Sequence, residues 1–307
     1  MIYRSLLRVV KCFDNNLKYC FAYWWVRIFC FLNRLNPVTT PLPSHPVDIM
    51  DLHFPNPVGL AAGFDRDGKL ASRLNTAGFG FIEIGTINVN SELNSDDNLA
   101  NIFRNLRRSN NQSTNQPLLG ISLGSLRNIV DDHTVADYLQ GMEMFWHYSD
   151  YIVINLSRPG SSVRSDKNNK AESRILLKKI KQGHAELCEK QCNHVPIIIK
   201  VAIEYENRKA LPETLIIANE LKFDGLLIAF ENWPSSVDVI ATVCEISALT
   251  YQLPLIVVGG IKTADDALQI LNAGANLVQC YTLLVDQGPV EMKKMIRKLT
   301  LSAKENL

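Results

Sequence analysis

From Asn56 onward the chain repeats one pattern eight times: a short, mostly apolar run, a turn of small or polar residues, then, in most cases, a longer segment with helical spacing. The runs are Val58–Ala62, Phe81–Gly85, Leu118–Leu123, Tyr151–Leu156, Ile197–Ala202, Gly225–Phe230, Leu255–Val258 and Leu277–Cys280. A run without polar alternation suits a strand covered on both faces, as parallel strands are. Parallel neighbours need crossovers, and the helical patterns supply them: Gly68–Ala77, Thr134–Trp146, Ala171–Cys192, Pro212–Leu221, Val237–Tyr251, Thr263–Ala273 and Pro289–Lys304. Eight units of about thirty residues predict an α/β chain closed into a (β/α)8 barrel of the TIM type, whose usual length is about 250 residues. An open doubly wound sheet would want G-x-G-x-x-G after its first strand, and Ala61-Ala62-Gly63 does not match.

The most informative unit is Pro254–Leu284. Gly259-Gly260 follows a buried strand and lets the backbone approach a ligand closely. Thr263 is a good helix N-cap, with Asp265 and Asp266 in the first turn, and Ala273-Gly274 ends that helix. Tyr281-Thr282 closes the last strand. Backbone N–H groups after strands seven and eight are the usual phosphate site of such barrels, so a phosphate is expected here; a tight turn without ligand is the plainer alternative.

Chemistry in a barrel belongs at the C-terminal strand ends. Those positions hold Ala61-Ala62-Gly63-Phe64-Asp65-Arg66, Gly85-Thr86, Ser122-Leu123-Gly124, Asn155-Leu156-Ser157-Arg158, Lys200, Phe230-Glu231-Asn232, Gly259-Gly260 and Tyr281-Thr282. Small residues after the first strand let a flat ligand lie against backbone. Lys200 ends an apolar run and needs an anion or an electron-rich ring, a structural salt bridge being the plainer use. Asn155 is an amide at the end of a buried strand and also needs a partner.

Composition narrows the classes. The chain has 307 residues, 47% hydrophobic and 21% charged, with a net charge of +1, so the whole molecule makes no electrostatic case for nucleic acid. Seven cysteines without paired spacing fit a reducing compartment rather than a disulfide framework. His184, Cys188 and Cys192 fall at helical spacing with His194 just beyond. Helical ligands spread this far rarely chelate one ion, so no metal is predicted and an outer helix face is the expectation.

Residues 1–40 form an extension distinct from the barrel of 41–307. Two apolar-basic segments, Ile2–Cys12 and Leu17–Leu32, flank Asp14, and the second carries Phe21, Tyr23, Trp24, Trp25, Phe29 and Phe31 around Arg27. This is too short and too charged for a confident span and lacks a small-residue cleavage site. Amphipathic helices lying in a membrane interface are predicted, with peripheral attachment on the cytoplasmic side; a helical pair packed on the barrel is the alternative. Residues 37–46 read as a stiff proline-rich linker.

Taken together, Asn56–Gly68, Gly78–Thr86, Val257–Ile261, Leu277–Thr282 and the basic-aromatic N-terminus resemble the dihydroorotate dehydrogenase family, in its quinone-using, membrane-associated class, over nearly the whole chain. The resemblance implies an FMN held by Ala61, Ala62, Gly63, Gly85, Thr86, Asn155, Lys200, Gly259, Gly260, Tyr281 and Thr282. Lys200 would lie near the isoalloxazine, and Arg66 would face the substrate where a lysine is usual. It also implies the family reaction in pyrimidine biosynthesis: a base takes the C5 proton of dihydroorotate, a hydride passes to flavin, and quinone reoxidises it.

The departures are as specific as the matches. The family's base is a serine in N-x-S-S-P-N, and here Asn155-Leu-Ser-Arg-Pro-Gly160 puts Arg158 at that position. An arginine, with a pKa above about 12, accepts no proton near neutrality. Ser157 is one position off and, on a strand, would face the other way. Phe103–Asn115 lacks the substrate loop, Ser122 replaces an asparagine, Phe230 stands where an amide would meet orotate, and Trp233–Val237 is too short for a further flavin contact. The expectation is therefore a flavin-binding barrel with reduced or lost turnover, a pseudoenzyme or repurposed binding module, against the alternative of a working quinone-linked enzyme.

Overall fold

The structure, a computed structural model, describes residues 3, 6, 7, 15–35, 45–89, 96–109, 117–127, 131–157, 170–209, 211–231, 233–250 and 253–305. Arg158, Gly160, Asn232 and most of the first N-terminal segment and of the proline-rich linker lie outside them. Helix α1 (Asn15–Leu35) leads to a small antiparallel hairpin, β1 (Val47–Ile49) and β2 (Leu52–Phe54), and then to the barrel.

All eight predicted runs become barrel strands: β3 (Val58–Leu60), β4 (Phe81–Ile87), β5 (Leu118–Leu123), β6 (Tyr151–Asn155), β7 (Ile197–Glu204), β8 (Gly225–Glu231), β9 (Leu255–Val258) and β10 (Leu277–Cys280). Every neighbouring pair is parallel, and β10 closes onto β3 with Val278 opposite Val58 and Cys280 opposite Leu60. All five residues of β6 and all four of β10 are buried, as unalternating runs require. β4, β7 and β8 extend beyond their predicted ends, whereas β3 stops two residues early. The strands therefore end unevenly around the mouth, β3 at Leu60 and the opposite β7 and β8 at Glu204 and Glu231.

The hairpin had no clear sequence signal. Its two-residue turn, Met50-Asp51, has both residues at φ 56, the backbone that Asn-Gly usually supplies. It stoppers the N-terminal end of the barrel, where Phe54 packs edge-on against Phe81 with ring centroids 5.3 Å apart. Gly59 has no Cβ because the Phe81 ring occupies that space.

The outer helices are α2 (Asp96–Ser109), α3 (Asp132–Phe145), α4 (Lys170–Gln191), α5 (Glu213–Glu220), α6 (Ser236–Leu249), α7 (Ala264–Asn272) and α8 (Thr282–Glu305). Two expectations are corrected. Gly68–Ala77 is not an α-helix but a loop followed by a 3₁₀ turn, Ala71–Ala77. Phe103–Ser109 is the end of α2 rather than loop, because Phe103 stacks on Phe145 at 4.9 Å. The predicted Pro289–Lys304 helix is the part of α8 beyond a break at Gly288, whose φ is 80, and a short helical segment from Thr282 precedes it.

Helix α1 lies along α8 and the 3₁₀ turn. Ala22, Val26 and Cys30 are buried against the barrel, and the Tyr19 hydroxyl donates to the Phe64 carbonyl at 2.5 Å. The opposite side exposes Leu17, Trp24, Ile28, Phe31 and Leu32, an apolar stripe at helical spacing.

Candidate active site

The barrel's C-terminal mouth opens into a cavity of about 980 Å³, within the range of about 300–1,000 Å³ typical of ligand pockets. Of the eleven residues implied for FMN, ten line it: Ala61, Ala62, Gly63, Thr86, Asn155, Lys200, Gly259, Gly260, Tyr281 and Thr282. Gly85 lies just behind, where its carbonyl accepts from Gly63 N at 2.8 Å. Arg66 lines the cavity as well, 5.8 Å from the Tyr19 ring centroid.

The side at the ends of β9 and β10, where the sequence leads us to expect a phosphate, is built largely from backbone. Gly259 and Gly260 have φ 103 and 73, and a Cβ on Gly259 would run into the Phe230 carbonyl. Only glycine suits both the dihedral and the space. Beside them a short helical segment of α8 starts at Thr282, ahead of the break at Gly288, with no acid in its first turn and Asp286 at the cavity further along, and its first N–H groups lack intrahelical partners. Lys262 also lines this side.

The floor is polar and closed. Lys200 Nζ lies 3.1 Å from Glu83 Oε1, and Gln279 Nε2 donates to Glu83 Oε2 at 2.7 Å. Lys200 thus has the structural salt bridge that sequence offered as its plainer use, and it also borders the cavity. Glu83 and Gln279 were not singled out from sequence. The available signal was a carboxylate inside the otherwise apolar Phe81–Gly85 run, which needs a buried cation or amide.

On the next wall, Asn155 Nδ2 donates to Thr86 Oγ1 at 2.7 Å, and Thr86 Oγ1 lies 3.3 Å from Ser122 Oγ. Ser157 corrects an expectation. It lines the cavity rather than facing away, because β6 ends at Asn155 and strand alternation ends with it. Its hydroxyl donates to Asn155 Oδ1 at 2.6 Å.

The far wall is aromatic. Phe230 meets Trp233 edge-on at 4.9 Å, Trp233 Nε1 donates to the Ile203 carbonyl at 2.7 Å, and Tyr205 packs on Trp233 at 5.3 Å. The carboxylates Glu231 and Asp286 line the cavity, while Cys280 and Tyr281 are poorly matched to proton abstraction. Burial pushes the Cys280 thiol up to about 12, and burial raises the Tyr281 phenol. Among the described lining residues there is no histidine. Asp65, under the rim, is fully buried; burial lifts its carboxyl to about 7 although Leu70 N donates to it at 2.9 Å.

Fold and cavity define a (β/α)8 barrel whose C-terminal mouth is lined by a glycine pair after β9 and by Tyr281-Thr282 after β10. The family model described as dihydroorotate dehydrogenase matches residues 45–98 and 234–302. The quinone-type dihydroorotate dehydrogenase of Acinetobacter baylyi is 33% identical, over 87% of this chain and 91% of that protein. That of Christiangramia forsetii is 29% identical, over 97% and 98%. The ligand-free DHODH of Eimeria tenella has a TM-score of 0.74 at 22% identity, covering 95% of this chain and 96% of that one. The chain belongs to the dihydroorotate dehydrogenase family, in its quinone-linked branch.

Two outcomes test the floor and the rim. Glu83→Gln leaves the Lys200 charge buried without its counter-charge, which should cost about 3–5 kcal/mol in denaturant unfolding; adding Lys200→Met should restore most of it. Asp65 has a folded-state value raised above the ordinary 3.8, so its neutral form is the one the fold favours. Its contribution is complete below the ordinary carboxylate value and is lost as pH rises through about 7. Thermal unfolding across that window should therefore fall with pH more steeply in the wild type than in Asp65→Asn.

Proposed function

We propose that this barrel holds FMN in its mouth and has lost most or all turnover of dihydroorotate. The residues fit the group. The glycine pair and the α8 N-terminus offer an anion cradle, and Ala61-Ala62-Gly63 leaves a low, side-chain-poor rim for a flat ring. When bound, FMN would supply two-electron acceptance, with quinone as the family's final acceptor. Lys200 would lend its charge to the ring side, moderated by Glu83.

The observation that carries the reading is the asymmetry of the mouth. The cradle half keeps its glycines and free N–H groups, while the half expected to grip a polar carboxylate substrate ends in the Phe230–Trp233 pair. The departures Ser122, Arg158 and Phe230 all fall between the two stretches that match the family model. Each missing hydrogen bond to a charged ligand is worth roughly 1.5–3 kcal/mol.

One observation favours the alternative of a working enzyme: the Ser157 hydroxyl borders the cavity. The absorbance spectrum of the purified protein separates the two. Yellow protein unchanged by dihydroorotate is expected, and Arg158→Ser alone should gain nothing. Bleaching by dihydroorotate that disappears in Ser157→Ala would establish turnover instead, and colourless protein would overturn FMN binding.

The second half of the proposal is peripheral membrane attachment through residues 1–40. No helix among the described residues is long and apolar enough to cross a membrane. The stripe of Leu17, Trp24, Ile28, Phe31 and Leu32 would enter the interface, with Arg27 beside anionic headgroups. Burying an aromatic side chain is worth about 1.5–3 kcal/mol, so the double variant Trp24→Glu/Phe31→Glu should lower co-sedimentation with anionic vesicles at least about tenfold. Undiminished sedimentation would discard this half alone.

A further inference from the structure

Opposite the mouth, at the N-terminal end of β7, the chain gathers three soft-metal donors. His184 and Cys188 stand one turn apart on α4, which ends at Gln191. Cys192 then takes φ 53, the chain reverses, and His194 returns beside Cys188. Sequence spacing suggested that His184, Cys188 and Cys192 share a helix face. The reversal removes Cys192, whose Sγ turns to the Glu189 carbonyl, and substitutes His194.

The two imidazoles are already oriented. His184 Nε2 lies 2.8 Å from the Val195 carbonyl, and His194 Nε2 lies 3.0 Å from Asp224 Oδ1. A carbonyl and a carboxylate can only accept, so each Nε2 carries the proton and each Nδ1 bears the lone pair. Cys188 Sγ is 3.6 Å from His194 Nδ1, and 3.9 Å from His184 Nδ1 and 3.6 Å from its Nε2. The sulfur carries one proton, which cannot satisfy two Nδ1 acceptors. For a tetrahedral ion with metal–sulfur and metal–nitrogen bonds of about 2.3 and 2.0–2.1 Å, sulfur and nitrogen stand roughly 3.5 Å apart.

We propose that His184, Cys188 and His194 form a site for a zinc-like divalent cation, with the fourth position open to water. The Val195 carbonyl and Asp224 are the outer partners that fix ligand tautomers in such sites. Asp224 is itself held by Ile197 N at 2.8 Å, and Lys181 Nζ approaches it at 3.7 Å. The His194 side chain is 43% exposed, so an ion can reach the cluster from solvent. Bound there, the ion would tie the end of α4 to the start of β7, on the face of a barrel that serves stability rather than chemistry.

The test is titration of the full-length, metal-stripped protein with Zn²⁺ against a chromogenic chelator, with Co²⁺ as a spectroscopic probe. One ion per chain is expected, with the visible d–d bands of a tetrahedral thiolate site at wavelengths beyond any flavin absorption. Cys188→Ser and His194→Asn should each weaken binding more than about 100-fold, and Asp224→Asn about 10–100-fold. Cys192→Ser should leave affinity unchanged. Zn²⁺ should raise the unfolding temperature of wild type but not of Cys188→Ser. His194 is surface-exposed, so His194→Asn keeps the test decisive should Cys188→Ser fail to fold. Binding of equal strength in both variants, or none in wild type, overturns the proposal.

Discussion

Closure of the sheet is the constraint on which everything else rests. Eight parallel strands leave no unpaired edge only if β10 meets β3, and that contact is made by Val278–Cys280 against Val58–Leu60. Closure buries both faces of every strand, which is why the runs are apolar throughout. It also forces interior side chains to fill the lumen. Toward the N-terminal end this is done by Phe54, Phe81 and Tyr151, and toward the mouth by the linked Glu83, Lys200 and Gln279. A buried ion pair adds little net stability, but its partners must stay together once inside.

Closure also decides the shape of the mouth. β3 ends low at Leu60 while β7 and β8 run on to Glu204 and Glu231. The low side is lined by small residues and backbone, and the high side carries Trp233, hydrogen-bonded to Ile203. One rim is therefore mostly backbone and small residues, while the other presents the Phe230–Trp233 aromatic pair beside Glu231.

Helix α1 is tied to this mouth rather than hung from it. Tyr19, Tyr23, Phe64 and Tyr281 form a chain of ring contacts from the helix to the cavity's edge, and Arg66 lies over Tyr19. One face of the helix is packed on the barrel, and the other carries an exposed apolar stripe.

Much of the fold was legible from sequence because its cause is local. Continuous apolar runs mark strands buried on both faces, Thr263 and Asp266 form the capping box expected at a helix start, and glycines at 259 and 260 report backbone that other residues strain to adopt. What sequence could not decide depended on neighbours distant in the chain. Helix α2 hid in a polar stretch because Phe103 is explained by Phe145 and Tyr148, distant in the chain, and the β1–β2 turn, without its usual glycine, is packed on the N-terminal end of the barrel. Ser157 faces the cavity because its strand stops, Lys200 is neutralised by a residue 117 positions away, and His194 joins Cys188 only after a chain reversal. Periodicity and composition were sufficient for the barrel; pairing of charges, aim of side chains and convergence of donors required the strands to close.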